Sequence, residues 1–266
     1  MMDNRVDFKD VTFLIRIKVD SMDRIENCMM VIDFLSDHFK TNIHVLEVRN
    51  YKNRILEKLL PNDVLVTCIE DYDPVFHQTK YLNRMAQKCQ TPYLSIWDAD
   101  VLAPPDQMIE SVELLRKQEV DFITPYKAVA LDTTELLREL YLKKRDIQVL
   151  QENQNKMIPT RSPNPSVGGA FFANKETYFE AGMENERFYG WGAEDDERII
   201  RWELLGYRYK RLDGVIYHLT HQRGKNSTFY TNKKEEIARS ELYKILAMSN
   251  QELEEYVNRW NHEKPN

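Results

Sequence analysis

Two aspartates separated by one residue follow an apolar run with the character of a β-strand. The run ends in SIW and continues as Asp98-Ala99-Asp100. In an extended chain, residues two apart point to the same side, so the two carboxylates can share one side at the carboxyl end of a strand, where open α/β sheets bind ligands. Carboxylate oxygens suit Mg²⁺ or Mn²⁺, and these ions suit a diphosphate. The pair therefore predicts a metal and phosphate site, and an acidic turn leading into the next helix is the alternative.

A turn rich in aromatic residues and glycine is the most informative segment of the chain. Residues 188–197 have the sequence FYGWGAEDDE, in which Trp191 lies between two glycines. Four acids then open a helix, and acids in a first helical turn offset the helix macrodipole by ~0.3–1 kcal/mol each. That effect explains the carboxylates, but it does not explain a large aromatic side chain between glycines. A flat aromatic face can stack on the apolar C–H face of a sugar ring, so Trp191 indicates contact with a carbohydrate.

Two histidines lie three residues apart after another strand-like run. They are His218 and His221, in the segment VIYHLTHQRGKN. Neutral imidazole nitrogens in a turn can converge on one metal ion. Together with Asp100 they would form a mixed oxygen and nitrogen site of the sort that Mn²⁺ accepts. The spacing alone leaves a structural role for the histidines equally open.

Alternating strand-like and helix-like segments must position these groups. Apolar, β-branched runs predict strands at residues 11–17, 42–48, 63–70, 92–97 and 121–126. Helical spacing predicts helices between them, at residues 25–35 behind a Ser21 cap, at 54–60, at 76–89 and after Pro104-Pro105. Short strands with intervening helices favour parallel pairing. The predicted fold class is therefore α/β, with a doubly wound sheet.

The second half of the chain is less regular. The polar, proline-bearing stretch 151–165 predicts a long surface loop, and loops of that length are often functional lids. A Gly-Gly pair then opens an apolar strand at residues 168–173. The charged, amphipathic segment 233–260 predicts a packing helix or a pair of helices. Because Glu and Lys are mixed along it, a membrane-surface role is the weaker alternative.

Composition excludes several classes of protein. The 266 residues suit one large domain or two small ones, and a net charge of −6 with a pI near 5.6 argues against a nucleic-acid partner. No uncharged apolar run approaches the ~18 residues needed to span a bilayer, and the N-terminal residues lack the apolar segment of a secretory signal. Three scattered cysteines without a CxxC pair, Cys28, Cys68 and Cys89, fit a reducing compartment. We therefore expect a cytoplasmic globular protein.

Four blocks of sequence resemble GT-A fold glycosyltransferases. WDAD, GGAFFANKETYFEAG, FYGWGAEDDE with RWELLGYRY, and HLTHQRGKN occur in the order found in that group. The chain is most similar to the β-1,4-galactosyltransferases, and it also resembles the transferase modules of bacterial chondroitin polymerases and, more distantly, the polypeptide N-acetylgalactosaminyltransferases. The resemblance implies a Rossmann-like GT-A fold, with a mixed, mostly parallel sheet flanked by helices. It implies one domain over residues 1–266, with a nucleotide-binding half (about 1–130), an acceptor and catalytic half (about 131–232) and a helical extension (233–266).

The same resemblance assigns residues to a donor and metal site. Asp100 and His221 match metal ligands, and His218 stands where the galactosyltransferases carry methionine, which implies a harder three-ligand site. Asp98 would contact the nucleotide or ribose, while Arg16 and Phe76 would line the uridine pocket. Gly168 and Gly169 would belong to the donor site. The implied cofactor is Mn²⁺ or Mg²⁺, and the implied donor is a UDP-sugar.

The aromatic-glycine turn matches the acceptor side of that family. Trp191 would be the loop tryptophan that swings over the bound donor and contacts the acceptor. Glu194 and Asp195 would meet the acceptor sugar, with Asp195 as the catalytic base. Asp196 and Tyr189 would complete the acceptor site, although Tyr189 replaces the first tryptophan of the family's turn and Ala193 replaces a glycine.

The activity that the resemblance implies is inverting, metal-dependent transfer of a hexose from a UDP-sugar to a carbohydrate or glycolipid acceptor, in surface polysaccharide or glycolipid synthesis. The small Ser166, two places before the Gly-Gly pair, would admit an N-acetyl group, so both galactose and N-acetylgalactosamine are candidates. The enzyme would be cytoplasmic, with at most peripheral association with the inner face of the membrane.

Three alternatives compete with this function. A retaining N-acetylgalactosaminyltransferase-like enzyme shares the fold and metal, but that branch ends its turn in Glu-Asn, whereas Glu194 is followed here by Asp195. A non-catalytic carbohydrate-binding protein would not need the base, the metal acids and the histidines together. A nucleotidyltransferase would carry a glycine-rich, basic loop near the first strand, and the segment IRIKVDSMDR offers none.

Overall fold

The computed structural model describes residues 3–50, 54–127, 129–161 and 166–262. Within them the strands are β1 (Val6–Ile17), β2 (Phe39–Arg49), β3 (Leu65–Glu70), β4 (Tyr93–Trp97), β5 (Val101–Leu102), β6 (Phe122–Thr124), β7 (Val129–Asp132), β8 (Ile158–Pro159), β9 (Ala170–Asn174), β10 (Tyr209–Arg211) and β11 (Val215–His218). The helices are α1 (Met22–His38), α2 (Ile55–Leu59), α3 (Gln78–Lys88), α4 (Pro105–Arg116), α5 (Glu135–Lys144), α6 (Gln148–Gln151), α7 (Lys175–Glu180), α8 (Glu194–Leu204), α9 (Asn232–Leu246) and α10 (Asn250–His262).

A seven-stranded sheet forms the centre of the molecule, in the order β10-β6-β9-β4-β1-β2-β3. β1 pairs in parallel with β2 and β4, β2 with β3, and β6 with β10. In contrast, β9 pairs antiparallel with both β4 and β6. The chain enters β9 at the carboxyl end of β4, where Ala170 pairs with Trp97, so no crossover returns it to the opposite edge. The predicted α/β class, with a mixed and mostly parallel sheet, is confirmed.

A smaller sheet, in the order β5-β11-β7-β8, continues from the carboxyl end of β4. Strand β11 runs antiparallel to β5, with His218 opposite Val101, and parallel to β7, with His218 opposite Asp132. The backbone N–H of Leu219 also donates to the carbonyl of Asp100, at 2.7 Å. This register brings the segment that follows β4 next to the end of β11, although the two lie far apart in the sequence.

The stretch 151–165 is more ordered than a long loop. It contains the end of α6, a 3₁₀ turn at Gln154–Lys156 and strand β8, which pairs with β7. The prediction of an uninterrupted loop is wrong because Met157 is buried and anchors this stretch to the core. Its residues 162–165 lie outside the described residues.

Large aromatic side chains fill both faces of the central sheet. On one face, Phe13 contacts Trp97 and Phe172 edge-on, with ring centroids 5.5 and 5.7 Å away. On the other, Phe122 stacks on Trp202 at 3.9 Å with the rings nearly parallel. Such pairs stabilise a core by about 0.5–1.5 kcal/mol beyond the area that they bury. Trp202 belongs to α8, so this stack fixes that helix against the sheet.

The C-terminal helices pack on the outside of α8. Leu253, Tyr256, Val257 and Trp260 of α10 form a small core with Ile245 of α9. The guanidinium of Arg201 lies 5.3 Å from the Trp260 ring. The predicted pair of packing helices is thus present. Among the described helices, none combines the length and the apolar character needed to cross a membrane.

Candidate active site

A cleft opens at the carboxyl ends of β1 and β4, where α/β sheets bind ligands. It is lined by Arg16, Ile17, Lys18, Asp20, Arg24, Phe76, Gln78, Asp98, Ala99, Asp100, Trp191, Glu194, Asp195, His218, His221, Arg223, Asn226 and Ser227. Residues from five separate parts of the chain therefore meet in one cavity, and most of them are polar or charged.

Asp100, His218 and His221 form an Asp–His–His cluster in this cavity. The Nε2 atom of His221 lies 3.2 Å from the Oδ2 atom of Asp100, and the Nε2 atom of His218 lies 3.7 Å from the same oxygen. One ligand atom from each residue lies within 4.8 Å of the other two. Pairing of β5 with β11 produces this approach, because it sets His218 beside the residue that follows Asp100.

Two nitrogens and one carboxylate oxygen fit a divalent cation such as Mn²⁺, which accepts both donor types. The remaining ring nitrogens are already engaged, as they are at metal sites whose imidazoles are held by outer hydrogen bonds. His218 Nδ1 is 2.8 Å from Asp132 Oδ1, and His221 Nδ1 is 2.9 Å from the carbonyl oxygen of Gln222. Both Nε2 atoms are therefore turned towards Asp100. The donor set fits a cation held by Asp100, His218 and His221.

Charge within the cluster alters the ionisation of its members. Burial opposes ionisation of Asp100, but His218 and His221 outweigh that effect and lower the pKa of its carboxyl. Burial likewise opposes protonation of His218, but Asp100 and Asp132 outweigh it and raise the pKa of the imidazole. The cluster therefore favours an ionised Asp100.

Asp132 was not among the predicted site residues. It ends β7, a parallel strand whose carboxyl end faces the cavity region, and its carboxylate also lies 3.9 Å from Arg223. A carboxylate at the end of an apolar strand is the same signal that drew attention to Asp98, so the motif VALD could have identified it.

Arg16 and Asp98 form an ion pair in the same cavity. The guanidinium of Arg16 donates to Asp98 Oδ1, and its second terminal nitrogen donates to Gln78 Oε1 at 2.8 Å. Burial raises the pKa of Asp98 above its ordinary value, and the Arg16 cation opposes that rise. Gln78 is the first residue of α3, two residues after Phe76; it was not named individually, but the resemblance places the helix behind Phe76 at the same pocket.

The acidic helix start, defined as Glu194, Asp195 and Asp196, follows a strained turn. Ala193 has a φ of 68°, in the left-handed region that costs a non-glycine residue ~1 kcal/mol. The turn directs Glu194 inward, where its carboxylate accepts from the backbone N–H of Gly192 at 2.6 Å. Burial, followed by the neighbouring Asp195, raises the pKa of Glu194 to about 8. This rise favours the protonated form of Glu194.

Asp195 is held from two sides. The guanidinium of Arg198 donates to Asp195 Oδ1. On the other side, a Cβ atom at Gly168 would lie only 2.0 Å from Asp195 Oδ2, so only glycine leaves room for the carboxylate. The side chain of Asp195 remains 35% exposed, on the cavity wall.

The Gly-Gly pair does not line the cavity, although both glycines were predicted as donor-site residues. Gly168 gives space to Asp195, and its carbonyl accepts from the Tyr126 hydroxyl at 2.6 Å. The carbonyl of Gly169 accepts from the backbone N–H of Asp98 at 2.8 Å. Both glycines thus lie behind the site and set the positions of two acids that do line it.

Two predicted acceptor residues also lie off the cavity wall. Asp196 accepts from Arg161 at 2.9 Å. Tyr189 contacts the His77 ring edge-on at 4.8 Å, and the ammonium of Lys234 lies 3.9 Å from its ring centre. Asp196 points away from the cavity because successive residues of a helix start point in different directions, whereas Tyr189 belongs to the turn before the helix.

Trp191 is exposed for a side chain of its size, with 41% of its surface accessible at the mouth of the cavity. Its ring contacts Phe229 edge-on at 5.6 Å. The next residue, Gly192, has a φ of 110°, and a Cβ there would lie 2.5 Å from the Phe229 ring. The turn therefore requires this glycine, and Trp191 projects from it.

Phe76 and Ser166 differ in their relation to the cavity. Phe76 is buried, lines it, and donates its backbone N–H to Asn226 Oδ1 at 3.0 Å. Ser166 is also buried, but its hydroxyl bonds Thr160 Oγ1 at 3.0 Å and it does not line the cavity.

Comparisons with known proteins agree with this geometry. A family model described as the N-terminal domain of galactosyltransferase matches residues 153–224, which include the Gly-Gly pair, the acidic helix start and both histidines. No curated protein sequence matches the chain significantly.

Solved structures match a larger share of the chain. The catalytic domain of Drosophila β1,4-galactosyltransferase 7, in complex with xylobiose, matches with a TM-score of 0.55 and 15% identity over 88% of this chain and 79% of that chain. A mutant of the Drosophila enzyme, in complex with manganese, UDP-Gal and xylobiose, matches with a TM-score of 0.54 and 15% identity over 85% of this chain and 79% of that chain. Glucosyl-3-phosphoglycerate synthase from Mycobacterium tuberculosis, in complex with Mn²⁺, UDP and glucosyl-3-phosphoglycerate, matches with a TM-score of 0.52 and 13% identity over 90% of this chain and 80% of that chain. The solved structures confirm the predicted GT-A fold, and the match at residues 153–224 is to a galactosyltransferase domain model.

Proposed function

We propose that this protein transfers galactose or N-acetylgalactosamine from a UDP-sugar to a hydroxyl group of a carbohydrate acceptor, with inversion at the anomeric carbon and dependence on a divalent cation. One observation carries the proposal. The Asp–His–His cluster lines the same cavity as the Asp195 carboxylate and the exposed Trp191 ring, which come from another segment of the chain. A metal site, a base and a sugar-stacking surface are the three parts that such a transfer requires.

Asp100, His218 and His221 would hold Mn²⁺ or Mg²⁺. The solved complexes of the Drosophila enzyme with manganese and UDP-Gal, and of the mycobacterial synthase with Mn²⁺ and UDP, support this choice. When bound, a divalent cation supplies charge that stabilises a leaving diphosphate.

Other side chains that line the cavity would bind the remainder of the donor. Arg16 and Asp98 would meet the nucleotide, with Phe76 against the base. Lys18, Arg24 and Arg223 line the cavity beside the Asp–His–His cluster and would balance phosphate charge. Gly168 and Gly169 would act through Asp195 and Asp98, whose positions they determine.

Asp195 would accept the proton of the attacking acceptor hydroxyl. A carboxylate is too weak a base to remove an alcohol proton in the ground state, so proton transfer would accompany formation of the new glycosidic bond. Such help accelerates a reaction by ~10²–10⁴. The protonated Glu194 would donate a hydrogen bond to the acceptor sugar, and Asp196 and Tyr189 would contact its more distant parts.

Trp191 would cover the reacting sugars and exclude water. Its exposed ring suits the C–H face of a sugar, and the glycines on either side allow it to move. Exclusion of water would prevent hydrolysis of the donor. The positions of both substrates within a closed site would provide the balance of the rate acceleration.

A retaining N-acetylgalactosaminyltransferase-like reaction is the second candidate, because it would use the same fold and cation. The Asp195 carboxylate on the cavity wall favours inversion, since it offers a base to the acceptor. NMR of the product distinguishes the two: an anomeric configuration opposite to that of the α-linked donor supports inversion, and a retained configuration contradicts it. A non-catalytic carbohydrate-binding protein would release no UDP at all.

A role in surface polysaccharide or glycolipid synthesis, on the cytoplasmic side and at most peripheral to the membrane, is part of the proposal. It predicts an acceptor that is a glycan, free or lipid-linked, rather than a nucleic acid.

A donor screen tests the function directly. Release of UDP is measured from UDP-Gal, UDP-GalNAc, UDP-Glc and UDP-GlcNAc, with Mn²⁺ present and a panel of sugar acceptors. We expect acceptor-dependent release from UDP-Gal or UDP-GalNAc, and loss of release when EDTA removes the cation. Release from none of the four donors, or equal release with EDTA, would contradict the proposal.

A further inference from the structure

We propose that Arg198 is a positioning residue for the Asp195 carboxylate, and that it fixes this carboxylate in the orientation needed to accept a proton. The inference rests on the proposed role of Asp195 as the base. Arg198 does not line the cavity, and it acts only through the residue that does.

The guanidinium of Arg198 joins two carboxylates. Its side chain is only 4% exposed, its Nη1 atom donates to Glu184 Oε2 at 2.7 Å, and its Nη2 atom donates to Asp195 Oδ1. The planar guanidinium fixes the angle between its donors, so the position of one carboxylate determines that of the other.

Glu184, the partner on the inner side, is held rigidly. It is buried, its Oε1 atom accepts from the Tyr178 hydroxyl at 2.9 Å, and its backbone N–H donates to Asn83 Oδ1 at 2.9 Å. Glu184 is thus an anchor in the core. Arg198 transmits the position of that anchor to the cavity wall.

The guanidinium is also held by aromatic rings. It lies 4.6 Å from the ring centre of Phe171, in the central sheet, and 5.7 Å from that of Trp202. These rings restrict the guanidinium to one plane, and cation–π contacts of this type are attractive.

Asp195 needs such support because of its place in the helix. It is the second residue of α8, its side chain is 35% exposed, and the turn before it contains residues with positive φ. Without a fixed partner an exposed aspartate would populate several side-chain rotamers. Arg198 on one side and the space at Gly168 on the other leave one orientation.

Arg201, one helical turn further on, provides a matched control. It is fully buried, pairs with Glu197 at 2.7 Å, donates to the carbonyls of Ala181 and Met183, and lies against Trp260. None of these partners lines the cavity. Both arginines are buried and ion-paired on the same helix, and only Arg198 contacts Asp195.

The test compares Arg198→Lys with Arg201→Lys. A lysine at position 198 cannot bridge both carboxylates, so we expect kcat to fall by ~10–100-fold while the affinity for UDP with Mn²⁺, measured by calorimetry, changes less than about twofold. Arg201→Lys should lower the thermal midpoint to a similar extent but keep kcat within about threefold of the wild type. Equal losses of kcat in the two variants would overturn the proposal.

Chemical rescue provides a readout that a purely structural role would not change. In Arg198→Ala, added guanidinium at non-denaturing concentrations should restore part of kcat with saturation, because the small cation can occupy the vacated space beside Asp195. The same additive should not restore Arg201→Ala. Failure of rescue in a folded Arg198→Ala protein would overturn the proposal. A wild-type protein that is inactive with every donor overturns the proposed function and this inference together, whereas an active wild type with unaffected Arg198 variants overturns this inference alone.

Discussion

The Asp–His–His cluster and the acidic helix start share one cavity, but different kinds of structure hold them. Strand register fixes the cluster, because pairing of β5 with β11 sets His218 opposite Val101, the residue after Asp100. Side-chain packing fixes the helix start, because Asp195 depends on Arg198 and on the absence of a Cβ at Gly168. Backbone pairing depends little on any one side chain, whereas packing depends on each atom. We therefore expect the helix start to be the more easily displaced of the two.

Asp100→Ala should produce the largest effect, because it removes the shared oxygen of the cluster. We expect the affinity for UDP in the presence of Mn²⁺ to fall by more than ~100-fold and activity to be lost, with the fold retained. Calorimetry measures the affinity, and circular dichroism serves as the folding control. An unchanged affinity for UDP with Mn²⁺ would refute the metal role of Asp100.

Asp195→Asn should separate chemistry from donor binding. An amide cannot accept the acceptor's proton, so we expect turnover to fall by ~10²–10⁴, while the affinity for UDP with Mn²⁺ remains unchanged. Steady-state kinetics and calorimetry on the same preparation check both parts. Near-normal turnover would remove Asp195 as the base.

Gly168→Ala should displace Asp195 of the acidic helix start by steric contact alone. A Cβ at this position would lie 2.0 Å from Asp195 Oδ2, so the carboxylate must move. A misplacement of about 1 Å at a reacting group can cost ~10²-fold in rate, so we expect kcat to fall by about 10–100-fold without loss of UDP affinity. If UDP affinity fell instead and kcat were retained, Gly168 would belong to the donor site as the sequence predicted.

Asp132→Asn should loosen the cluster without removing a ligand. An asparagine retains one hydrogen bond to His218 Nδ1 but loses the carboxylate charge. We expect Mn²⁺ affinity to fall by ~10-fold, which electron paramagnetic resonance can measure without any turnover. A change confined to kcat would show that Asp132 acts on another step.

Glu194→Gln should give the smallest effect, visible in stability as a function of pH. The folded-state pKa of Glu194, about 8, lies above its unfolded value near 4.5, so its contribution to stability is greatest at low pH and is lost as pH rises to about 8. Glutamine does not ionise, so it makes no pH-dependent contribution to stability. We therefore expect the variant and the wild type to converge near pH 5, and the variant to be more stable near pH 9 by at least about 1 kcal/mol. Thermal unfolding at both pH values measures it, and a pH-independent difference would contradict the assignment.

Much of the fold follows from local pattern. The apolar runs at residues 11–17, 42–48 and 92–97 lie in β1, β2 and β4, and Ser21 caps α1 through its side chain, as predicted. These features depend on nearest neighbours in the sequence. The antiparallel direction of β9 and the strand at Ile158–Pro159 depend on partners distant in sequence, so periodicity could not reveal them.

The candidate site divides in the same way. Asp98, Asp100, His218 and His221 carry short-range signals, namely spacing and position after an apolar run. Arg198 carries none that distinguishes it from an ordinary helix residue. The signals at Asp132, which ends an apolar strand, and at Gln78, two residues after Phe76, are weaker. Their importance depends on what lies opposite them in space, as with the 2.8 Å contact between Asp132 and His218.

The sequence by itself determined the class of the fold, the kinds of chemical group at the site and their order along the chain, because residue types and their spacing encode these directly. Only the tertiary structure decided which groups meet. It placed Gly168 against Asp195 and Gly169 against Asp98, placed Tyr189 and Asp196 outside the lining of the cavity, and joined Asp195 to the core through Arg198. The physical reason is that side-chain orientation depends on strand register and packing, and both are set by contacts between residues far apart in sequence.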